Sequence, residues 1–188
     1  MTSTINENTT TGTALAGSTQ SLPAGQWQAD TVHSSVAFEV PYAVATFSGE
    51  VTDFDAALSD GKLQGSARIA SLTLKDDNLK AHLQSPDFFD AERHPEVRFA
   101  TEDVRRDGDR IEFDGEITIK GVTRPATLTG TVNGPAVDHF GKNRIGLSLE
   151  TTVDRTDFGI NWNMPLPNGE PALANEVTLK ADLTLIGQ

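Results

Sequence analysis

Strict alternation of apolar and polar residues, repeated along most of the chain, restricts the fold more than any other feature. The longest such row of apolar or small residues is Ile111, Phe113, Gly115, Ile117 and Ile119. Successive side chains of a β-strand point to opposite faces of the sheet, so a period of two indicates strands with one buried face. From Trp27 onward, the sequence therefore predicts an all-β fold.

Tight turns separate these runs. Asp60-Gly61, Asp107-Gly108 and Asn133-Gly134 favour the positive φ angles of short hairpin connections. The strands are therefore expected to pair as antiparallel neighbours, and long apolar rows favour closure into a barrel over two packed sheets. The prediction is a single eight-stranded antiparallel, lipocalin-like β-barrel with one short helix at about residues 76–84.

The first 25 residues differ from the rest, since they are rich in Thr, Ser, Asn and Gly and contain no long apolar run. Such a segment predicts a disordered tail over residues 1–25, followed by a barrel domain over residues 26–188. The start of the chain also lacks the basic residues and apolar run of a secretory signal, which favours a cytoplasmic location. No segment approaches the roughly 20 apolar residues of a membrane-spanning helix, so no stable membrane insertion is expected.

Composition and motifs argue against several classes of chemistry. A net charge of −12 makes nucleic acid a poor partner, and the absence of Cys excludes disulfides and thiolate catalysis. The four histidines have no close metal-ligand spacing, so no metal site is expected. The sequence has neither a Gly-rich phosphate loop nor a G-x-S-x-G nucleophile motif, so neither a cofactor nor enzymatic activity is expected.

Two apolar segments leave alternatives open. Phe88-Phe89, just after the predicted helix, either anchors a loop to the core or lines the entrance to a cavity. The stretch 164–167 is either packed or flanks an opening, and it or an exposed edge strand could also support a homodimer. Arg155 and Asp157, two residues apart at a strand end, predict a structural ion pair.

Small residues on the inward rows also have two interpretations. Gly65, Ala67, Gly115 and Ala181 either leave room for a cavity or allow strands to pack closely and coil. An eight-stranded barrel can be filled by its own side chains or can hold one small ligand. The periodicity does not choose between these.

Four motifs, taken in order, resemble the YceI-like family of polyisoprenoid-binding proteins. They are Trp27-x-x-Asp30-x-x-His33-Ser34-x-Val36-x-Phe38, His82-Leu83-x-Ser85-Pro86-Asp87-Phe88-Phe89-Asp90, Gly115–Pro125 and Arg155-Thr156-Asp157-Phe158-Gly159-Ile160. The resemblance implies an apolar barrel interior that binds a long isoprenoid chain, such as that of a quinone or a polyprenyl lipid. Leu79-Lys80 stands where the family often has Arg-Asp, so no ligand contacts are predicted there and the head group stays open.

The resulting hypothesis is non-catalytic binding and carriage or storage of a polyisoprenoid, with no cofactor required. The candidate ligand-binding residues were chosen by strand face and loop position. They are Phe38, Phe47, Phe88, Phe89, Phe99, Phe113, Ile119, Leu128, Leu147 and Trp162. Two alternatives are a filled-core interaction or stress-related module without a ligand, and a β-barrel enzyme acting on an apolar substrate.

Overall fold

The computed structural model describes residues 21–188, which form eleven strands and one α-helix. The strands are β1 (Gln26–Ala29), β2 (Ser35–Tyr42), β3 (Ala45–Val51), β4 (Phe54–Ser59), β5 (Lys62–Arg68), β6 (Leu72–Thr73), β7 (Glu96–Asp107), β8 (Arg110–Ile119), β9 (Val122–Val137), β10 (Asn143–Asp154) and β11 (Glu176–Gly187). Helix α1 (Asp77–Gln84) lies between β6 and β7, and short 3₁₀ turns occupy Ile69–Ser71 and Arg155–Phe158. The all-β prediction with one short helix is confirmed.

Eight of the strands close into an antiparallel ring. Their order is β1, β4, β5, β7, β8, β9, β10 and β11, and β11 pairs back with β1 through Trp27 opposite Gly187. Closure leaves these strands without free edges, which is how small antiparallel sheets avoid edge-to-edge association. The predicted eight-stranded barrel is therefore confirmed.

One end of the ring is extended by the β2–β3 hairpin. Strand β11 is long enough to pair with β1 near its end and with β2 earlier, where Phe38 lies opposite Leu179. Strand β3 pairs with β2, and β6 pairs with β3. The loop 160–175 crosses to the tip of this hairpin, where Tyr42 and Leu173 form a β-bridge. The extension, this loop and α1 together build the end of the barrel that carries the candidate site.

The opposite part of the barrel is filled. Phe113, Ile111, Ile145 and Leu185 are almost completely buried there, on three strands of the ring. Gly115 belongs to this packing, because a Cβ at that position would collide with the backbone of Ala100 and Thr101. Close strand approach, not cavity space, therefore explains this glycine.

The described residues begin at residue 21, inside the tail predicted over residues 1–25. Residues 1–20 of that tail lie outside the described residues. Leu22 is buried in the core, and the indole Nε1 of Trp27 donates to the carbonyl of Pro23 at 3.3 Å. The packed chain therefore begins a few residues before the predicted boundary at residue 26.

Arg144 ties the β1 end of the barrel together with two ion pairs. Its guanidinium lies 2.8 Å from the carboxylate of Asp30, which follows β1, and 2.7 Å from that of Asp138 in the β9–β10 turn. Hydrogen bonds from Arg144 are the main reason that the pKa of Asp30 and the pKa of Asp138 each fall to about 2. Both carboxylates are therefore ionised, and hold Arg144, down to low pH.

We expect Arg144→Met to lower the melting temperature at neutral pH and to lose that effect in acid. The two folded-state pKa values lie below the ordinary 3.8, so the stabilisation is complete above about pH 5 and declines as pH falls from 4 toward 2. Melting curves of wild type and variant should therefore converge near pH 2. Arg68→Gln, which removes an exposed pair with Asp53 (2.8 Å) and a longer one with Glu96 (3.5 Å), is the control and should change little at any pH. A constant difference across the whole pH range would contradict the assignment.

Candidate functional site

A cavity of about 420 Å³ opens at the extended end of the barrel. Its wall is formed by β2, β3, α1, the loop 160–175 and the near half of β11, with Phe38, Phe47 and Leu179 among the lining residues. Only four lining residues carry a polar side-chain atom: Tyr42, His82, Arg155 and Trp162. A concave, almost wholly apolar space of this size is typical of a small-molecule site.

Helix α1 forms one side of the cavity because its start and its spacing are both specified by sequence. The carboxylate of Asp76 accepts a hydrogen bond from the backbone N–H of Leu79 at 2.9 Å and so caps the helix. Residues three and four apart share one helix face, and Leu79, His82 and Leu83 all line the cavity. Leu79 lies at one of the two positions where no ligand contact was predicted, whereas Lys80 is not among the lining residues.

The Phe88-Phe89 pair lines the cavity. The turn after α1 is fixed by backbone hydrogen bonds from Phe88 N–H to the carbonyl of Ser85 (3.0 Å) and from Phe89 N–H to that of Leu83 (3.0 Å). Phe88 is buried and Phe89 is packed against the core. Both residues line the wall of the cavity, and the same packing anchors the turn to the core.

An aromatic cluster joins α1 to the loop 160–175. The ring centroid of His82 lies 5.0 Å from that of Phe88 and 4.8 Å from that of Trp162, both in edge-to-face geometry. Phe88 and Trp162 are 5.3 Å apart. The Nε2 atom of His82 lies 3.2 Å from the carboxylate of Asp87. The ring of His82 therefore packs between Phe88 and Trp162 in the cavity wall, and its Nε2 atom contacts the carboxylate of Asp87.

Arg155 fixes the loop 160–175 from inside. The guanidinium donates to the carbonyl oxygens of Ala174 (2.8 Å), Ile160 (2.8 Å), Trp162 (2.8 Å) and Leu173 (3.4 Å), and to the side-chain oxygen of Asn175 (3.4 Å). These bonds use all five N–H donors of an arginine.

The predicted ion pair between Arg155 and Asp157 is therefore wrong, because the chain turns through Arg155–Phe158 and directs the guanidinium to the loop carbonyls. Burial lowers the pKa of the Arg155 guanidinium, and the nearby carboxylate of Asp154 partly opposes this shift.

Six of the ten predicted ligand-binding residues line this cavity: Phe38, Phe47, Phe88, Phe89, Ile119 and Trp162. Phe99 and Leu128 instead line a smaller cavity of about 110 Å³ deeper along the barrel. Phe113 and Leu147 are almost completely buried in the filled core. Contact with a ligand stays a prediction for all ten.

The two cavities are adjacent, because four residues line both of them. These are Val36, Ala67, Val97 and Leu179. We name this set the junction. None of these four residues is among the ten that the sequence predicted.

The other lining residues that were missed, such as Leu72 and Leu173, lie in short segments without clear periodicity. In the part of the chain that the structure covers, no group of three or more His, Asp or Glu side chains is placed to hold a metal ion. The single helix seen there is also far too short to span a bilayer.

Curated relatives match most of the chain. A UPF0312 protein of Pseudomonas putida strain F1 is 31% identical over 160 residues, covering 79% of this chain and 83% of its own length. A UPF0312 protein of Pseudomonas syringae pv. tomato is 30% identical over 190 residues, covering 93% of this chain and 94% of its own length.

Solved structures have the same fold. The YceI protein of Campylobacter jejuni aligns with a TM-score of 0.65 and 25% identity, over 74% of this chain and 84% of that one. A polyisoprenoid binding domain from Saccharophagus degradans aligns with a TM-score of 0.65 and 12% identity, over 86% and 98%. The sequence motifs, the barrel and the match of residues 27–185 to the YceI-like domain agree, and the chain belongs to the YceI-like family.

Proposed function

We propose that this protein binds the hydrocarbon chain of an isoprenoid lipid and carries or stores it without chemical change. The observation that carries the proposal is the apolar cavity of about 420 Å³ at the extended end of the barrel. Membership of the YceI-like family and the fold shared with the polyisoprenoid binding domain of Saccharophagus degradans support this ligand class. We also propose that the protein is cytoplasmic, as expected from the sequence. Cell fractionation tests this location.

Cavity volume limits how much of the chain is enclosed. At about 30 Å³ for each water-sized group, the space holds on the order of 14 carbon-sized groups, or roughly three five-carbon units. At about 0.8 kcal/mol per methylene, their transfer from water contributes roughly 11 kcal/mol before association and ordering costs. After association and ordering costs of at least about 4 kcal/mol, roughly 7 kcal/mol remains, which corresponds to a Kd on the order of 10 μM without a specific polar contact. A longer chain would continue past the junction into the smaller cavity.

The polar groups of the wall favour carriage over turnover. Arg155 has no N–H left to donate to a substrate, and the Nε2 atom of His82 is held by Asp87. Acyl or glycosyl transfer usually uses a Ser, Thr or Cys nucleophile or a pair of carboxylates that face the substrate, and the lining residues include no Ser, Thr, Cys, Asp or Glu. The open cavity likewise disfavours a filled-core interaction module. Selection of the ligand would then depend on chain length and shape, with the head group left near the mouth.

Organic extraction of natively purified protein, followed by mass spectrometry, tests the proposal. We expect an isoprenoid in near-stoichiometric amount, or saturable binding when quinones and polyprenyl alcohols are added to delipidated protein. A straight-chain fatty alcohol of similar length serves as the ligand control. Neither extracted lipid nor binding of any added isoprenoid would exclude the proposal and would favour the interaction module.

A further inference from the structure

Four exposed apolar side chains surround the mouth of the cavity. Tyr42 (44% exposed), Val44 (104%), Leu79 (36%) and Met164 (54%) form this group, which we name the rim. Tyr42 and Leu79 also line the cavity, so the rim is continuous with its wall. Four of the seven large apolar side chains that are exposed among residues 21–188 therefore lie on the segments at this end of the barrel, and such a concentration often marks an interaction surface.

Backbone hydrogen bonds hold the rim segments together. Ala43, next to Val44, donates its N–H to the carbonyl of Ala172 at 2.7 Å. Ala172 in turn donates to the carbonyl of Met164 at 3.0 Å. These bonds join the tip of the β2–β3 hairpin to the 164–172 segment, so the segments that carry Val44 and Met164 are held next to each other.

The rim is almost free of charge in a strongly acidic protein. Residues 40–49 contain no charged side chain, and residues 158–175 contain only Glu170, whereas the whole chain carries a net charge of −12. On the α1 side, Lys75 and Lys80 balance Asp76 and Asp77. Electrostatic repulsion from an anionic surface should therefore be weakest at this face.

We propose that the rim docks on a lipid bilayer, with Val44 and Met164 entering the interfacial region and the cavity mouth facing the lipids. The inference rests on the proposed function, because an isoprenoid lipid resides in membranes and must leave the bilayer to reach the cavity. Apolar tips with an aromatic residue at the boundary suit the membrane interface. Four side chains give a shallow, reversible contact, which release of the loaded protein requires.

Vesicle flotation with the full chain tests this proposal. The probes are phosphatidylcholine vesicles with and without phosphatidylglycerol, and the variant is the double substitution Val44→Glu and Met164→Glu. We expect the vesicle-bound fraction, and the rate at which an isoprenoid quinone is taken up from loaded vesicles, to fall about tenfold or more. The matched control is Val137→Glu with Phe140→Glu, which charges two other exposed apolar residues, at the end of β9 and in the β9–β10 turn, and should leave both quantities unchanged.

A separate binding assay distinguishes failure of the rim from failure of the carrier function. Both double variants should bind farnesol supplied in solution as wild type does, because neither changes a residue that lines the cavity. If the rim variant binds farnesol normally and also associates with vesicles as strongly as wild type does, the docking proposal is overturned and the proposed function is kept. The docking proposal is also overturned if wild type does not associate with vesicles but forms a dimer in solution that the rim variant does not form. That result would assign the rim to contact with a second copy of the chain. No binding of farnesol or any other isoprenoid by wild type would instead remove the proposed function.

Discussion

Replacing Ala67 with leucine is expected to weaken isoprenoid binding about fiftyfold while leaving the fold at least as stable. Ala67 lies in the junction and faces both cavities, so the larger side chain occupies space that the ligand would take. Displacing about three carbon groups at about 0.8 kcal/mol each costs roughly 2.4 kcal/mol of binding free energy. Filling an open apolar space does not strain the barrel as overpacking a filled core would.

Ligand length provides a second measurement on the same variant. A chain long enough to pass the junction should lose more affinity than a short one that stays near the mouth. Titrations with isoprenoid alcohols of increasing length, followed by quenching of tryptophan fluorescence, measure this because Trp162 lines the cavity.

Gln64→Leu is the matched control, since it adds an apolar side chain to the outward face of the same strand. Equal affinities of wild type and Ala67→Leu for a long isoprenoid would show that the ligand does not reach the junction.

Arg155→Met is expected to reduce the free energy of unfolding by about 3 kcal/mol or more and to abolish ligand binding. The substitution leaves the carbonyls of Ala174, Ile160 and Trp162 without their donor, and an unsatisfied buried polar group costs about 1–3 kcal/mol. The loop that carries Trp162 and Leu173 then loses its anchor, and with it the cavity loses part of its wall.

Denaturant unfolding and ligand titration together check this role of Arg155. Arg155→Lys retains the charge but has only three donors, so we expect an intermediate loss of stability. Lys180→Met, which removes an exposed ion pair with Glu39, should change stability little. An Arg155→Met variant as stable as wild type would contradict the anchoring role.

The filled part of the fold could be predicted from sequence better than the site. Alternation along β8 identifies Phe113 and Ile119 as inward-facing, because a strand with one buried face must follow a period of two. The same period cannot tell which inward residues lie at the filled end and which lie at the open end. Phe113 and Ile119 share a row, yet one is in the packed core and the other lines the cavity. That difference depends on strand register and on the β2–β3 extension, which no local pattern specifies.

The role of Arg155 was missed for a related reason. Charge spacing within three residues suggested a local partner, whereas its actual partners are backbone carbonyls up to 19 residues away and the side-chain oxygen of Asn175. Main-chain acceptors carry no signature in the sequence, so a buried arginine of this kind can be recognised only once the loop around it is placed.

The shared strand β11 has a consequence for how the protein is made. Phe38 on β2 pairs with Leu179 on β11, about 140 residues later in the chain. At roughly 5–20 residues per second, a ribosome needs on the order of ten seconds to bridge that interval. Throughout this time the β2–β3 hairpin presents Phe38, Val40 and Phe47 to solvent on a nascent chain that cannot yet close. The residues that later line the cavity therefore first form an exposed apolar surface on the nascent chain, which is prone to aggregation.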